Sequence, residues 1–275
     1  MSYAFPGEGA LDYFPCRYGA SRLVFRGPRR SLERPYIAIL GGTETYGKFV
    51  PDPYPDLVED EIGMSVVNLG CMNAGPDVFL HDPAIVEIAS RAEVTVVQLM
   101  GAINISNRYY AVHPRRNDRF LHATPLLRAM FREVDFTEFS FTGHMVQVLQ
   151  ATAPDRFEVL ACELRATWVE RMSQLLGRIS GPKLLFWLSD HMPPPASRRA
   201  DLASDPLLVD AGMVSSLRGL ADHHVEQIIT AKARQEGLGG MAFSPLDALA
   251  AAEMPGPAAH RAAAAALTPA LLAYI

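Results

Sequence analysis

Residues 35–43 read Pro-Tyr-Ile-Ala-Ile-Leu-Gly-Gly-Thr, and this stretch decides the fold. The apolar run at 36–40 follows a proline and stops at a glycine pair. Its apolarity is continuous and does not alternate, which is typical of a parallel strand that is covered on both faces. We therefore predict a buried strand of a parallel sheet at 36–40.

Further apolar runs of the same kind follow along the chain, at 65–69, 93–100 and 183–188. Each ends at a glycine or at a polar cluster, as a strand does where it enters a loop. The segment 225–230 is ambiguous, because it fits either a fifth strand or part of a helix over 215–235. We prefer the strand, since its β-branched residues fall where the alternation of strands and helices would place one.

Helical patterns separate these runs. Apolar residues at three- and four-residue steps predict a long helix over 157–179. The stretch 124–152 predicts two shorter helices with a break near 135–137, and an alanine-rich helix follows Ala258, which Pro269 should kink or restart. Alternating strands and helices predict an α/β three-layer sandwich with a mostly parallel five-stranded sheet.

The charge and cysteine content exclude several classes of function. The chain has 25 basic and 30 acidic residues, so we expect neither nucleic acid nor an anionic membrane as a partner. Three cysteines without a CxxC motif or ligand spacing indicate a reducing compartment without structural zinc. The N-terminus lacks the pattern of a signal peptide, and we expect a cytoplasmic protein.

No internal repeat or low-complexity linker divides the chain. We expect one α/β domain at 36–275, preceded by an N-terminal arm at 1–35 that packs on the domain. Four arginines of the arm either add positive charge to a site or pack across the edge of the sheet, and we prefer packing; they are Arg22, Arg26, Arg29 and Arg30.

In a parallel sheet, ligands bind beyond the carboxyl ends of the strands, so the residues that follow each strand are the candidates for chemistry. The first such segment, 41–48, has a glycine pair and a lysine but neither the GxxxxGK[ST] nor the GxGxxG spacing. We therefore expect no nucleotide cofactor. Either the turn presents the Thr43 hydroxyl to a site, or Thr43 or Thr45 caps the next helix.

The second segment, 70–77, is rich in small residues. Such residues let backbone N–H groups approach a ligand, as an oxyanion hole requires, although an ordinary turn has the same composition. We expect Cys71 to be a packed thiol, because no basic residue stands near it in the sequence.

The third segment, 101–119, is the densest polar run in the chain. Asn104 and Asn107 offer amide donors, and four candidate cations fall within seven residues: His113, Arg115, Arg116 and Arg119. Such a run is either a solvated face or a site at which arginines bind carboxylate, phosphate or sulfate with forked geometry.

His191 follows Asp190 at the end of the fourth predicted strand. The pair at 223–224 follows Asp222 and precedes the fifth. Adjacent residues on an extended chain point to opposite sides, and helical ligand spacings are absent, so we expect no metal site. His260 follows the turn at 255–257 and opens the final helix, which places it near the carboxyl edge of the sheet.

These segments together resemble the blocks of the SGNH or GDSL hydrolase superfamily. The stretch 39–45 is similar to the first block, with Thr43 at the position of the nucleophilic serine and Gly42 at that of the aspartate. The stretches 68–70 or 73–75 resemble the second block, and 101–104 resembles the third. The chain also resembles a small uncharacterised bacterial family that shares the strings at 40–49, 68–77 and 106–120.

The superfamily resemblance implies a flavodoxin-like sandwich and the chemistry of esterases, lipases, deacetylases or O-acyltransferases. The implied catalytic residues are Thr43 as nucleophile, His260 as base, and Gly70 or Gly75 with Asn104 as oxyanion donors. Pro257 stands where that superfamily has an aspartate, which leaves Asp247 or Glu253 as the acid that orients His260.

We therefore predict an acyl-ester hydrolase or O-acyltransferase without a cofactor, acting on a small anionic or carbohydrate-linked substrate. The predicted substrate-binding residues are Gly42, Thr45, Gly75, Asn107, Arg108, His113, Arg115, Arg116 and Arg119. One alternative is a non-catalytic domain that binds an anion or a saccharide, supported by the missing serine and aspartate. Another is a phosphate or sulfate transferase in which 41–48 and the arginines hold the transferred group.

Overall fold

The structure is a computed structural model that describes residues 9–196 and 199–275. The first eight residues of the predicted N-terminal arm therefore lie outside the described residues. The strands are β1 (Tyr36–Gly41), β2 (Ser65–Gly70), β3 (Val94–Gln98), β4 (Tyr110–His113), β5 (Arg116–Ala123), β6 (Lys183–Ser189) and β7 (His223–Ile228). The helices are α1 (Thr43–Tyr46), α2 (Tyr54–Ile62), α3 (Asp77–Leu80), α4 (Pro83–Arg91), α5 (Pro125–Met130), α6 (Thr142–Thr152), α7 (Pro154–Arg178), α8 (Ala211–Leu217), α9 (Ala231–Gln235), α10 (Ala248–Ala252) and α11 (Pro257–Leu271).

Five of the strands form one parallel sheet in the order β2-β1-β3-β6-β7. This is the strand order of flavodoxin-like folds, in which the second strand lies on one side of the first and the later strands lie on the other. All six residues of β1 are buried, as continuous apolarity requires. The prediction of an α/β fold with a mostly parallel five-stranded sheet is confirmed, and so is the choice of a strand near 225–230.

Two helical layers cover the sheet. Side chains alternate along β1, so Ala38 and Leu40 belong to the larger core, which contains α4 and α7. Ile37 and Ile39 face the smaller core, which α2 and α11 close. The loops after β1 and β3 meet beyond the carboxyl ends of these strands.

The predicted helices form with small differences at their ends. The long helix is α7, with 25 residues, and the break between α5 and α6 holds a 3-10 turn at Phe136–Glu138. Helix α11 continues through Pro269 and ends two residues later. The proline therefore lies in the last turn, where the lost N–H removes one hydrogen bond near the end of the helix.

The described part of the N-terminal arm is integrated into the fold. Tyr18, Leu23 and Phe25 are buried in the larger core. The Arg26 guanidinium donates hydrogen bonds to the carbonyls of Gly47 at 2.7 Å and Val50 at 2.8 Å. These bonds satisfy backbone acceptors beyond the end of α1, so Arg26 serves structure instead of adding charge to a site.

The polar run after β3 forms an antiparallel hairpin of β4 and β5, which the sequence analysis did not predict. Register shifts in this pair interrupt the alternation of buried and exposed residues, so no clean period of two remains to be read. The three cysteines are free thiols. Across 9–196 and 199–275, no helix combines the length and the apolarity that a membrane span needs.

Candidate functional site

A cavity of about 330 Å³ opens at the carboxyl ends of β1 and β3. Its wall comes from the turns after β1, β2 and β3, from β5, from the start of α6 and from the loop near residue 206. The polar side chains that line it are Thr43, Glu44, Asn73, Gln98, Asn104, Asp118, Thr142 and Asp205. Two hydrogen-bond networks hold most of these side chains in place.

The first network begins with Thr43 and Asn73. The Asn73 N–H donates to Thr43 Oγ1 at 2.9 Å, and Thr43 Oγ1 donates to Asn73 Oδ1 at 3.1 Å. Asn73 has a φ of 53°, in the left-handed region that asparagine tolerates better than most residues. The pair ties the turn after β1 to the turn after β2, and the Thr43 hydroxyl is engaged in both directions.

The same network continues around the cavity through Asn104. Its Nδ2 donates to the carbonyl of Asn73 at 2.9 Å, and its Oδ1 accepts from the hydroxyl of Thr142. Asn73 Nδ2 donates to Asp118 Oδ2 at 3.3 Å. These hydrogen bonds, which we call the Asn73 network, join the loops after β1, β2 and β3 into one wall.

The second network has Gln98 at its centre. Gln98 Oε1 accepts from the Gly42 N–H at 3.0 Å and from the Thr45 hydroxyl, while its Nε2 donates to Glu44 Oε2 at 2.9 Å. Thr45 also bonds the Tyr54 hydroxyl at 2.6 Å. Thr45 is fully buried and is not among the residues that line the cavity, so its contribution is to support Gln98 from behind the wall.

Two carboxyls that line the cavity, Glu44 and Asp205, have shifted pKa values. Burial raises the pKa of Glu44, and the nearby Asp205 adds to this shift against the hydrogen bond from Gln98. Burial likewise raises the pKa of Asp205, although this lining residue is partly exposed to solvent. A raised pKa favours the neutral carboxyl, which donates a hydrogen bond as well as accepting one.

The structure contradicts the prediction that His260 is the base for Thr43. Its Nδ1 accepts the N–H of Tyr54 at 3.0 Å, at the start of α2, where the first N–H groups have no helical partner. Burial, with a further contribution from Arg26, lowers the pKa of His260 to about 3. His260 is thus a neutral structural residue with partners of its own, and no hydrogen bond joins it to Thr43 within the described residues.

The predicted acids for His260 also have other positions. Asp247 accepts a hydrogen bond from Ser244 at 2.6 Å, and Glu253 is exposed. Neither bonds the histidine in the part of the chain that the structure describes. The predicted triad of Thr43, His260 and an acid is therefore not assembled.

The predicted oxyanion donors Gly70 and Gly75 are occupied. The Gly70 N–H donates to Asn68 Oδ1 at 2.9 Å, and the Gly75 N–H donates to Asn117 Oδ1 at 3.2 Å. A Cβ would lie 2.3 Å and 2.0 Å, respectively, from backbone atoms of neighbouring loops. Both glycines are required for close packing of the chain, which is why this segment is rich in small residues.

None of the five predicted cationic residues lines the cavity. Arg108 pairs with Glu163 at 2.9 Å, and Arg115 and Arg116 are exposed at the tip of the β4–β5 hairpin. His113 Nδ1 accepts the Arg115 N–H at 3.2 Å, which helps to close that turn. These residues belong to a solvated face, the alternative that the sequence analysis left open.

Arg119 and Asn107 also lie outside the cavity wall. The Arg119 guanidinium stacks 4.2 Å from the centre of the Phe141 ring, and Phe141 does line the cavity. Asn107 Oδ1 accepts the N–H groups of Tyr109 and Tyr110, so this asparagine closes a local turn.

The model of a protein family described as Domain of unknown function (DUF6473) matches residues 1–275 of the chain. The chain belongs to the DUF6473 family. The expectation of an uncharacterised family is thereby confirmed. A search of curated proteins finds no match to this chain.

Two crystal structures are similar to the DUF6473 chain in fold. One is the lipase Lip_vut3 from a goat rumen metagenome, with a TM-score of 0.46 and 14% identity over 86% of this chain and 97% of that one. The other is a Lactobacillus plantarum protein, with a TM-score of 0.42 and 15% identity over 88% and 98%. At these identities and scores the likeness concerns the fold and carries no argument about activity.

Of the predicted site residues, the DUF6473 structure brings Gly42, Thr43 and Asn104 to the cavity. Sequence reasoning missed Glu44, Asn73, Gln98, Asp118, Thr142 and Asp205. Gln98 had a signal, because it is the one polar residue in the run 96–100 and stands where β3 ends. Glu44 and Asn73 lie in the segments 41–48 and 70–77, where Thr43, Gly70 and Gly75 are the predicted site residues.

Proposed function

We propose that the cavity of this chain binds a neutral, hydroxyl-rich ligand of the saccharide class. The observation that carries the proposal is the composition of the wall. Among the residues described as lining it, three side chains are carboxyls, three are primary amides and two are hydroxyls, while none is a lysine, arginine or histidine.

Carboxyl and amide groups suit a polyol because sugar hydroxyls both donate and accept hydrogen bonds. The Asn104 amide, fixed by its bonds to Asn73 and Thr142, retains one N–H and one oxygen lone pair for such a ligand. Apolar groups of Met100, Leu207 and Met254 complete the wall and would contact the C–H faces of a sugar ring. The volume of about 330 Å³ falls within the range of roughly 300–1,000 Å³ that is common for small-molecule sites.

The same composition disfavours the anionic substrate that the sequence predicted. An anion in this cavity would find no countercharge among the described lining residues and would lie beside the Asp118 carboxyl, which disfavours its binding. Lys48 does not line the wall and stands 4.6 Å from the Phe49 ring. Phosphate or sulfate transfer therefore has no support.

Acyl transfer to or from a carbohydrate-linked ester is the second candidate. The observation that favours it is the position of Thr43, whose hydroxyl lies in the cavity at the end of β1 and accepts the Asn73 N–H. Such a mechanism requires Thr43 to leave Asn73 and to use a base other than His260. Loss of p-nitrophenyl acetate turnover in Thr43→Val but not in His260→Asn would favour it over simple binding.

The binding proposal is tested with pairs of sugars that differ by one charge. Ligand-observed NMR compares methyl glucoside with methyl glucuronide and methyl galactoside with methyl galacturonide, and glucosamine serves as a cationic probe. We expect binding of neutral members over their uronides. Leu207→Trp, which fills the cavity, should abolish binding, whereas Leu246→Trp at a side chain that is 97% exposed should not.

Preference for the uronides would contradict the proposal, and so would equal binding by the wild type and Leu207→Trp. Binding of glucosamine alone would identify a cationic ligand instead of a neutral one.

A further inference from the structure

The orientation of the Gln98 amide is fixed by its neighbours. The Gly42 N–H can only donate, so the atom facing it at 3.0 Å must be the carbonyl oxygen of Gln98. Thr45 Oγ1 donates to the same oxygen, and the Tyr54 hydroxyl then donates to Thr45. The amide nitrogen of Gln98 is thereby directed to Glu44.

With the Gln98 amide in this orientation, only one oxygen of Glu44 accepts a hydrogen bond from it. Oε2 accepts from Gln98 Nε2 at 2.9 Å. Oε1 is not held by the amide, and Glu44 belongs to the cavity wall. The carboxyl also accepts the N–H of its own residue, so a proton on it takes a position that faces neither this N–H nor the Gln98 amide.

The charges around Glu44 favour that proton. The ionisable groups that share the cavity wall are Asp205 from the loop after β6 and Asp118 from β5, and the described wall contains no cation. Burial, which is the largest effect, and the Asp205 carboxyl raise the pKa of Glu44, while hydrogen bonds from Gln98 and from the Glu44 N–H oppose them.

We infer that Glu44, held by Gln98, is a neutral carboxyl that donates a hydrogen bond to an oxygen of the ligand. In a saccharide that acceptor is a hydroxyl oxygen, the ring oxygen, a glycosidic oxygen or the carbonyl of an acyl substituent. The inference rests on the proposed function and names the residue whose proton controls ligand binding. Gln98 is the positioning residue that holds the Glu44 carboxyl in the cavity wall.

The test measures the affinity for methyl glucoside, methyl galactoside and N-acetylglucosamine from pH 5 to pH 8. Once pH exceeds the pKa of Glu44, affinity should fall about tenfold per pH unit, because only the neutral carboxyl donates. Glu44→Gln keeps a donor at every pH and should bind without that dependence. Glu44→Ala should bind weakly throughout, while Glu253→Gln, at an exposed position outside the wall, should match the wild type.

Gln98→Leu tests whether Gln98 acts through Glu44, because a purely structural role would leave the midpoint of the affinity profile unchanged. The hydrogen bond from Gln98 lowers the pKa of Glu44, so its removal should shift the midpoint of the affinity profile to higher pH. An unchanged midpoint, or a wild-type affinity that is independent of pH, overturns the inference even where the sugars bind.

A second measurement needs no ligand and separates the two proposals. Infrared difference spectra from pH 4 to pH 8 should show a C=O band of a protonated carboxyl that persists to higher pH than that of an exposed glutamate, and this component should be lost in Glu44→Gln and present in Glu253→Gln. If no sugar binds, the proposed function fails, while this band still decides the state of Glu44. Loss of this band at the pH at which an exposed glutamate ionises overturns the inference.

Discussion

Thr43 and Asn73 hold each other through a reciprocal pair of hydrogen bonds, with the Asn73 N–H on Thr43 Oγ1 at 2.9 Å and the threonine hydroxyl on Asn73 Oδ1 at 3.1 Å. The pair closes the cavity on one side and joins the loops that follow two neighbouring strands. It also occupies the one hydroxyl that the superfamily resemblance makes a nucleophile. The chemistry available at this edge of the sheet therefore comes from the carboxyls and amides around that pair.

Replacement of Thr43 tests the structural value of the pair. Thr43→Val preserves the shape of the side chain but leaves the Asn73 N–H without its acceptor, so we expect a loss of about 2 kcal/mol in the free energy of unfolding. Thr43→Ser retains both bonds and should lose less. Urea unfolding measures the difference, and equal stability of the two variants would show that the pair is not stabilising.

The backbone at Asn73 provides a second test. At a φ of 53°, any residue with a Cβ has a strained backbone, and asparagine offsets the strain through local hydrogen bonds of its side chain. Asn73→Gly and Asn73→Ala remove the same side-chain bonds, so their difference isolates the strain. We expect the glycine variant to be more stable than the alanine variant by about 1 kcal/mol in thermal or urea unfolding. The reverse order would contradict the left-handed conformation.

The sheet was predictable because its strands are continuous apolar runs that end at glycine or polar clusters. The run at 36–40 became β1 with every residue buried, and 225–230 proved to be a strand although a helix also fitted. The β4–β5 hairpin was not predictable in this way. Its polar residues and irregular register conceal the period of two that identifies a half-buried strand.

The site was predictable in place but not in its chemistry. Topology brings the loops after β1 and β3 together, so Thr43 and Asn104 reach the cavity as expected. Which face of α11 carries His260 depends on packing against α2, and the sequence does not specify it. The raised pKa of Glu44 likewise arises from burial and from Asp205, which is distant in the chain.

Substitution of Gly75 tests whether close packing explains the small residues after β2. A Cβ on Gly75 would stand 2.0 Å from the carbonyl oxygen of Asn104, so Gly75→Ala should cost about 3 kcal/mol in the free energy of unfolding. The matched control is Gly177→Ala in α7, where nothing lies within 4 Å and alanine should stabilise the helix by up to about 1 kcal/mol. A tolerated Gly75→Ala would contradict the packing role.

His260 gives the fold a specific dependence on pH. Its pKa falls from 6.5 to about 3 on folding, so below pH 6.5 the unfolded chain takes up a proton that the folded chain refuses. Stability from this residue is present above pH 6.5 and is lost as the pH falls towards 3, by about 2 kcal/mol between pH 7 and pH 5.

The matched variant is His260→Asn, which retains an acceptor for the Tyr54 N–H but does not titrate. Chemical unfolding at pH 7 and pH 5 should show a drop for the wild type that exceeds the drop for the variant by that amount. Equal drops would mean that His260 is protonated alike in the folded and unfolded chains.

Paired sugars test the central claim most directly, because methyl glucoside and methyl glucuronide differ in one carboxylate. Ligand-observed NMR with the wild type, Leu207→Trp and Leu246→Trp should show binding of neutral sugars that only the cavity-filling variant abolishes. Binding of the uronide in preference to the glucoside, or binding that survives in Leu207→Trp, would contradict a neutral saccharide site in this cavity.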